Sequence, residues 1–202
     1  ERALAKWESL SEAERRLPEQ EAKRGGQVRR FESLFPADGL ALRVVARDVQ
    51  RENLPGDWRG KAWNQDFAWF RKDEARGFLP VAPIPGARFE VPRALVSRLA
   101  QFSFVDDVRG QTTPYRPGDV AEAALAGEVV DVTPAGWVLK YQGRSKTWQS
   151  GKWPVRGFED MHTPKRHERG VEVSILAHAT WDPARERFVS FELVALGTRT
   201  GG

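Results

Sequence analysis

The alternation of apolar and polar positions is clearest in the last half of the chain, where it predicts two β-hairpins. The first consists of segments 127–132 and 137–142, which flank a Thr-Pro-Ala-Gly turn. The second consists of segments 171–181 and 187–196, on either side of an Asp-Pro-Ala-Arg turn. Consecutive hairpins indicate an antiparallel β-meander, which we expect to curve like a half-barrel around a helix.

The last of these strands predicts which of its faces is buried. Every odd-numbered position from 189 to 195 is apolar, whereas Phe188, Ser190 and Glu192 occupy even-numbered positions. Successive side chains of a strand point to opposite faces. We therefore expect Val189 on the buried face and Phe188 on the polar face.

Shorter elements are predicted in the first half of the chain. Segment 40–47 is β-branched and partly alternating, which favours a strand. Segment 72–77 is typical of a short helix that ends at a glycine. Segment 92–100 starts with proline and places Leu95 and Leu99 on one helical face, which indicates a helix of two to three turns.

The N-terminal segment has a helical pattern of its own. Ser11 and Glu14 have the spacing of a capping box, in which each residue bonds the backbone of the other. The segment is rich in charge, so we expect a helical arm over residues 1–35 and a single domain over residues 36–202. The fold class predicted for the chain is α+β.

Composition excludes several classes of site. The 202 residues contain no cysteine, which excludes disulfides, thiolate metal sites and a cysteine nucleophile. The 32 basic and 28 acidic residues give a net charge of +4 that is balanced along the chain, which argues against nucleic-acid binding. No apolar run approaches the roughly 20 residues that a membrane-spanning helix needs, so we expect no membrane span.

Most catalytic motifs are missing from the sequence. It contains no Gly-x-Ser-x-Gly elbow, no Walker loop, no Gly-x-Gly-x-x-Gly after a strand and no His-Glu-x-x-His. Nucleotide binding and standard serine hydrolysis are therefore not predicted, and we expect no cofactor.

Two acidic pairs are the candidate catalytic residues. They are Asp106 with Asp107, and Glu159 with Asp160. Carboxylates that share a site separate their pKa values and supply an acid and a base, which is the chemistry of a metal-independent hydrolase. Adjacent carboxylates on an extended chain point opposite ways, so Asp106 and Asp107 cannot both face one site. Turn capping is the structural alternative.

Two histidines are the candidate metal ligands. His162 and His167 lie close to Asp160 and Glu168, and imidazole with carboxylate is the usual donor set where cysteine is absent. Their spacing matches no known ligand pattern, and a Thr-Pro-Lys-Arg run between them would repel a cation. We therefore favour a solvated loop and expect no metal.

The aromatic block in the first half contains the candidate ligand-binding residues. Aromatic rings beside short amide and carboxylate side chains suit the stacking of a small ligand, and they also suit a protein interface or a core. The residues of this candidate site are Trp63, Asn64, Asp66, Trp69 and Arg109.

One shorter window is rich in cations. Between Lys140 and Arg169 there are eight basic residues against three acids, interleaved with Trp148, Trp153 and Phe158. Cations beside aromatic rings can bind single-stranded nucleic acid or another anionic polymer. Cations resting on tryptophan rings within the fold are the simpler alternative.

Segments 57–64, 104–112 and 191–199 together resemble an uncharacterised bacterial family of exported or envelope-associated proteins. The resemblance covers about residues 40–202 and implies an extracytoplasmic, secreted or periplasmic location. It supplies no catalytic residues. The chain starts at Glu1 without an apolar leader, which is consistent with removal of an export signal.

Aromatic density without a catalytic signature favours a non-enzymatic binding module. We expect it to hold a small apolar or aromatic ligand, or a protein partner. The metal-independent hydrolase is the first alternative, and the anionic-polymer binder is the second.

Overall fold

The computed structural model describes residues 6, 8–15, 34–49, 62–108, 113–152 and 166–201. The chain divides into two compact units, Glu1–Phe35 and Pro36–Gly202. The second unit contains the described sheets and the longest of the described helices, and it is mostly antiparallel sheet with a few short helices. This confirms the α+β class.

In the first unit, helix α1 (Glu12–Arg15) begins directly after Ser11. The backbone amide of Ser11 donates to Oε2 of Glu14 at 2.9 Å, and the amide of Glu14 donates to Oγ of Ser11 at 3.3 Å. This reciprocal pair satisfies two donors that a helix start otherwise leaves unpaired, and it confirms the predicted capping box. The rest of the predicted arm lies largely outside the described residues.

Five antiparallel strands form the larger sheet, in the order in which they occur along the chain. They are β3 (Arg88–Glu90), β4 (Val120–Thr133), β5 (Gly136–Lys152), β6 (Arg166–Asp182) and β7 (Arg187–Gly201). Both predicted hairpins are confirmed as β4–β5 and β6–β7, and their strands are longer than predicted. The predicted antiparallel meander is therefore confirmed.

One face of this sheet is buried. On β6 the odd-numbered positions from Val173 to Ala179 are buried and the residues between them are exposed. On β7, however, the register against β6 shifts by one residue near Val189. Phe188 consequently packs against the core and Val189 is exposed, so the predicted faces of these two residues were wrong. A β-bulge of this kind reverses the side-chain alternation locally.

A second sheet consists of two antiparallel strands. They are β1 (Leu40–Arg47), which matches the prediction, and β2 (Trp63–Phe70), which lies in the aromatic block. The register places Leu40 opposite Phe70 and Arg47 opposite Trp63. Helix α2 (Lys72–Ala75) and a 3₁₀ turn over Arg76–Phe78 follow, which confirms the predicted short helix.

Helix α3 (Arg93–Phe102) confirms the third predicted element of this half and packs against β4 and β5. It buries Val96, Leu99 and Ala100, which lie on one face because helical residues three and four apart are neighbours.

Aromatic rings form the centre of the core. The hydroxyl of Tyr141 on β5 donates to the carbonyl oxygen of Phe78 at 2.7 Å, and the ring stacks on Phe191 of β7. Burial raises the pKa of Tyr141 far above its ordinary value, so the phenol stays protonated and keeps this bond. The bond joins the sheet to the turn that follows β2 and α2.

Candidate functional site

Two strand edges face each other across an open groove of about 1160 Å³ in the unit Pro36–Gly202. Residues 41–49, on β1 and just beyond it, line one wall, and residues 193–199 of β7 line the other. Every residue of both segments lines the groove, without a gap. Because successive side chains of a strand point to opposite faces, this pattern shows that the groove borders the edges of the strands. We call it the β1–β7 groove.

The facing edges of β1 and β7 carry backbone N–H and C=O groups that do not hydrogen-bond to any other described strand. Within the described part of the chain, β1 pairs only with β2 and β7 pairs only with β6. The outer N–H and C=O groups of such an edge form a template for another strand.

The two strands are linked through the core at the start of the groove. Phe70 lies opposite Leu40, the first residue of β1. Its ring meets Phe78 edge to face with centroids 5.0 Å apart, and Phe78 meets Phe191 of β7 at 5.5 Å. The start of β1 therefore lies at the Phe191 end of β7.

The other end of β1 is linked to a later part of β7. Asn64 lies opposite Ala46, and its side-chain amide donates to the carbonyl oxygen of Asp107 at 2.7 Å. The neighbouring residue Asp106 accepts a hydrogen bond from the guanidinium of Arg199. β1 and β7 therefore run in the same direction along the groove.

The floor of the groove is apolar. It is formed by residues of α3, of the segment that follows it, and of β6 and β7, namely Leu99, Phe104, Val171, Val173 and Phe191. All of them belong to the hydrophobic core or pack against it. The groove is thus an opening in the wall of the core.

The β1 rim of the groove is cationic. Arg43 and Arg47 are exposed, and neither forms an ion pair with any residue that the structure describes. On the other rim Arg199 is bonded to Asp106, which neutralises that cation. Among the described residues of the β1 wall, Arg43 and Arg47 are therefore two cations without an ion pair, and Asp48 is an acidic residue of the same wall.

A carboxylate cluster lies near the far end of the groove. Burial raises the pKa of Asp107, and the charges of Asp66 and Asp106 raise it further. Oδ1 of Asp107 is buried and has no hydrogen-bond partner among the described atoms. The structure thus brings Asn64, Asp66, Asp106 and Asp107 together, but Asp106 alone of these lines the groove.

Trp63 and Trp69 lie on the face of β2 opposite to that of Asn64 and Asp66, because the β1–β2 register continues without a shift. The side chain of Trp63 is 62% exposed. Trp69 is partly covered by the guanidinium of Arg98, 5.5 Å from its ring centre. The two tryptophans are six residue steps apart along the strand, or about 20 Å, so a single small ligand cannot contact both.

The basic window contains cross-strand ion pairs. Nζ of Lys146 lies 2.9 Å from a carboxylate oxygen of Glu172, and Nζ of Lys140 lies 3.5 Å from one of Glu128. The hydrogen bond that Lys146 donates to the carboxylate of Glu172 raises the pKa of Lys146. Arg169 rests 4.5 Å from the ring centre of Tyr115. These three contacts hold cations of the window against carboxylates and a tyrosine ring, whereas the predicted alternative named tryptophan rings.

The candidate metal ligand His167 lies on β6 opposite Gly151. Among the described residues, no group of three or more histidine and acidic side chains is placed to hold a metal. The remaining candidates Arg109, Glu159, Asp160 and His162 lie outside the described residues.

No protein-family profile, curated protein or solved structure matches the chain. The resemblance to exported bacterial proteins therefore stays a prediction. In the part of the chain that the structure describes, no helix is long and apolar enough to cross a membrane.

Proposed function

We propose that the protein is a non-enzymatic binding module and that the β1–β7 groove is its binding site. The observation that carries this proposal is a pair of strand edges that no other described strand pairs with, on either side of an apolar floor. In this proposal, β3–β7 bend around α3 as a half-barrel, and the groove is the gap in its wall. The partner is a protein segment or an apolar ligand.

The groove offers the two kinds of contact that binding needs. Its floor can remove apolar surface from water, and its edges can donate and accept backbone hydrogen bonds in a defined direction. Its volume of about 1160 Å³ lies above the usual range of small-molecule pockets, which favours a protein segment over a compact ligand.

The proposal can be tested with the apolar fluorescent anion 1-anilinonaphthalene-8-sulfonate. Ala195 is on the inner face of β7 and lines the groove, so Ala195→Leu should fill it. Ala184 lies in the exposed β6–β7 turn and gives the same change outside the groove. We expect saturable fluorescence for the wild type and for Ala184→Leu, and a marked loss for Ala195→Leu.

Unfolding curves must accompany this titration, because partly folded proteins also bind the dye. If all three proteins unfold cooperatively and bind the dye equally, the dye does not enter the groove and the proposed site is wrong. A loss confined to Ala195→Leu, with cooperative unfolding kept, supports the site.

The hydrolase is the second candidate, and Asp107 favours it. A half-buried carboxyl group with a raised pKa, next to the carboxylate of Asp66, has the environment of a general acid. Release of p-nitrophenol from p-nitrophenyl esters, phosphates and glycosides tests this. Turnover that Asp107→Asn abolishes and Glu90→Gln retains would support the hydrolase. Turnover no faster than in buffer would remove it for these substrates.

An anionic-polymer binder is the weakest candidate, because described cations of the basic window are paired with carboxylates. It requires an affinity for heparin or single-stranded DNA that falls steeply with salt. An extracytoplasmic location stays part of the proposal and would be shown by finding the protein outside the cytoplasm after cell fractionation.

A further inference from the structure

We infer that the β1–β7 groove takes an extended segment of a partner protein that adds as a strand between β1 and β7, with apolar residues alternating with acidic ones. This inference rests on the proposed function and names the occupant of the same site. Three features of the groove support it: the direction of its edges, the side chains on each side of the gap, and its length.

The direction of the edges suits one added strand. β1 and β7 run the same way along the groove, so a strand antiparallel to β1 is also antiparallel to β7. Such a strand would continue the antiparallel order of both sheets and satisfy both edges at once. Pairing of β7 with β7 of a second copy would satisfy one edge and leave β1 unpaired.

The side chains on the two sides of the gap favour a bound segment in which apolar and acidic residues alternate. On the inner side, Leu42 and Val44 of β1 and Leu193 of β7 pack against the core, so every second residue of the occupant meets apolar surface. On the outer side, Arg43 and Arg47 stand beside the gap. Residues of the occupant that point outward therefore meet positive charge, which favours glutamate or aspartate.

The length of the groove sets the length of the segment. The seven residues from Ala41 to Arg47 span about 23 Å as a strand. The Cα atoms of β1 and β7 come within 8 Å at their closest approach. Because two strand spacings require about 9.6 Å, the β1–β2 sheet must move outward there by at least about 2 Å to admit a full strand.

The test uses a nine-residue peptide in which valine alternates with glutamate, capped at its C-terminus and labelled with fluorescein. Fluorescence anisotropy measures its binding to the full chain. One control peptide has lysine in place of every glutamate. A second control carries N-methyl groups on alternate amides, which removes the donors to one edge and keeps the side chains. We expect saturable binding of the first peptide and no measurable binding of either control.

Protein variants locate the charge contacts. Arg43→Gln combined with Arg47→Gln should weaken binding of the valine–glutamate peptide by about 2-fold to 30-fold, as expected for two partly exposed ion pairs. The matched control combines Arg116→Gln with Arg187→Gln, two exposed arginines away from the groove. It should bind the peptide as the wild type does.

The outcomes separate this inference from the proposed function. If the fluorescent anion binds in a groove-dependent manner but the peptide does not bind, or binds equally well with lysine or N-methyl groups, the strand inference is wrong and the binding module stands. If groove-filling by Ala195→Leu affects neither probe, both are wrong. Sedimentation as a dimer that the peptide does not dissociate would make a second copy the occupant and overturn the inference.

Discussion

Tyr141 should stabilise the link between the larger sheet and the turn that follows β2 and α2. Its hydroxyl bonds the carbonyl oxygen of Phe78, and only 1% of its surface is exposed. Tyr141→Phe removes one oxygen atom and keeps the ring that stacks on Phe191. Loss of a buried hydrogen bond that leaves its partner without this donor costs about 1–3 kcal/mol.

The expected change is large enough to measure by thermal unfolding. For a chain of this size, each kcal/mol lowers Tm by about 2–4 °C, so Tyr141→Phe should lower it by about 2–12 °C. Circular dichroism at pH 7 would follow the transition. Ser190→Ala, which removes an exposed hydroxyl on β7, should leave Tm nearly unchanged. A Tm for Tyr141→Phe as close to wild type as that of Ser190→Ala would refute the reasoning.

Three further substitutions test other parts of the structure. Gly127→Ala places a Cβ 2.2 Å from the ring of Phe89 on β3 and should lower the free energy of unfolding by about 1–3 kcal/mol. Its control, Gly118→Ala, meets open space and should change the free energy of unfolding little. Equal melting temperatures of the two variants would contradict this. Asp107→Asn should raise Tm at pH 7, because burial disfavours the charged carboxylate that it replaces. This gain in Tm should vanish as the pH falls to about 3.9, the ordinary pKa of an aspartate. A gain in Tm that does not depend on pH would contradict this reasoning. Trp63→Ala should leave the free energy of unfolding nearly unchanged. Trp181→Ala, at a site only 5% exposed, should lower it by about 3–5 kcal/mol. Comparable losses of stability for the two variants in denaturant titrations would place Trp63 in the core.

The sequence predicts strands well where a single face is buried. β6 and the part of β7 that follows Val189 are long and alternate cleanly, so their pattern predicts both pairing and turn. The bulge at Val189 depends on how the two strands are registered, and no local pattern indicates it. β2 was not predicted because Asn64, Gln65 and Asp66 are three consecutive polar residues, which breaks the alternation that marks a strand.

The candidate site depends on relations between distant segments. The sequence predicts β1 and β7 as strands, but which strands lie at the edges follows only from the pairing of all seven described strands. The cluster of Asp66 and Asp107 likewise joins residues about forty positions apart. Arg43 and Arg47 were not candidate residues, although their alternate spacing on a predicted strand was visible and places both on one face.

Addition of a strand between two edges requires both walls of the groove to take part in binding. A ligand on the apolar floor alone would leave the backbone amides of β1 and β7 in contact with solvent. An added strand would protect amides on both. Hydrogen exchange distinguishes these arrangements, because it reports amide protection segment by segment.

Hydrogen–deuterium exchange with and without the valine–glutamate peptide therefore tests the central claim most directly. We predict that exchange slows together in residues 41–49 and 193–199, the two walls of the β1–β7 groove, and stays unchanged in the β6–β7 turn. Slower exchange in only one of these walls, or in neither, at saturating peptide would contradict the claim that the groove accepts a strand between β1 and β7.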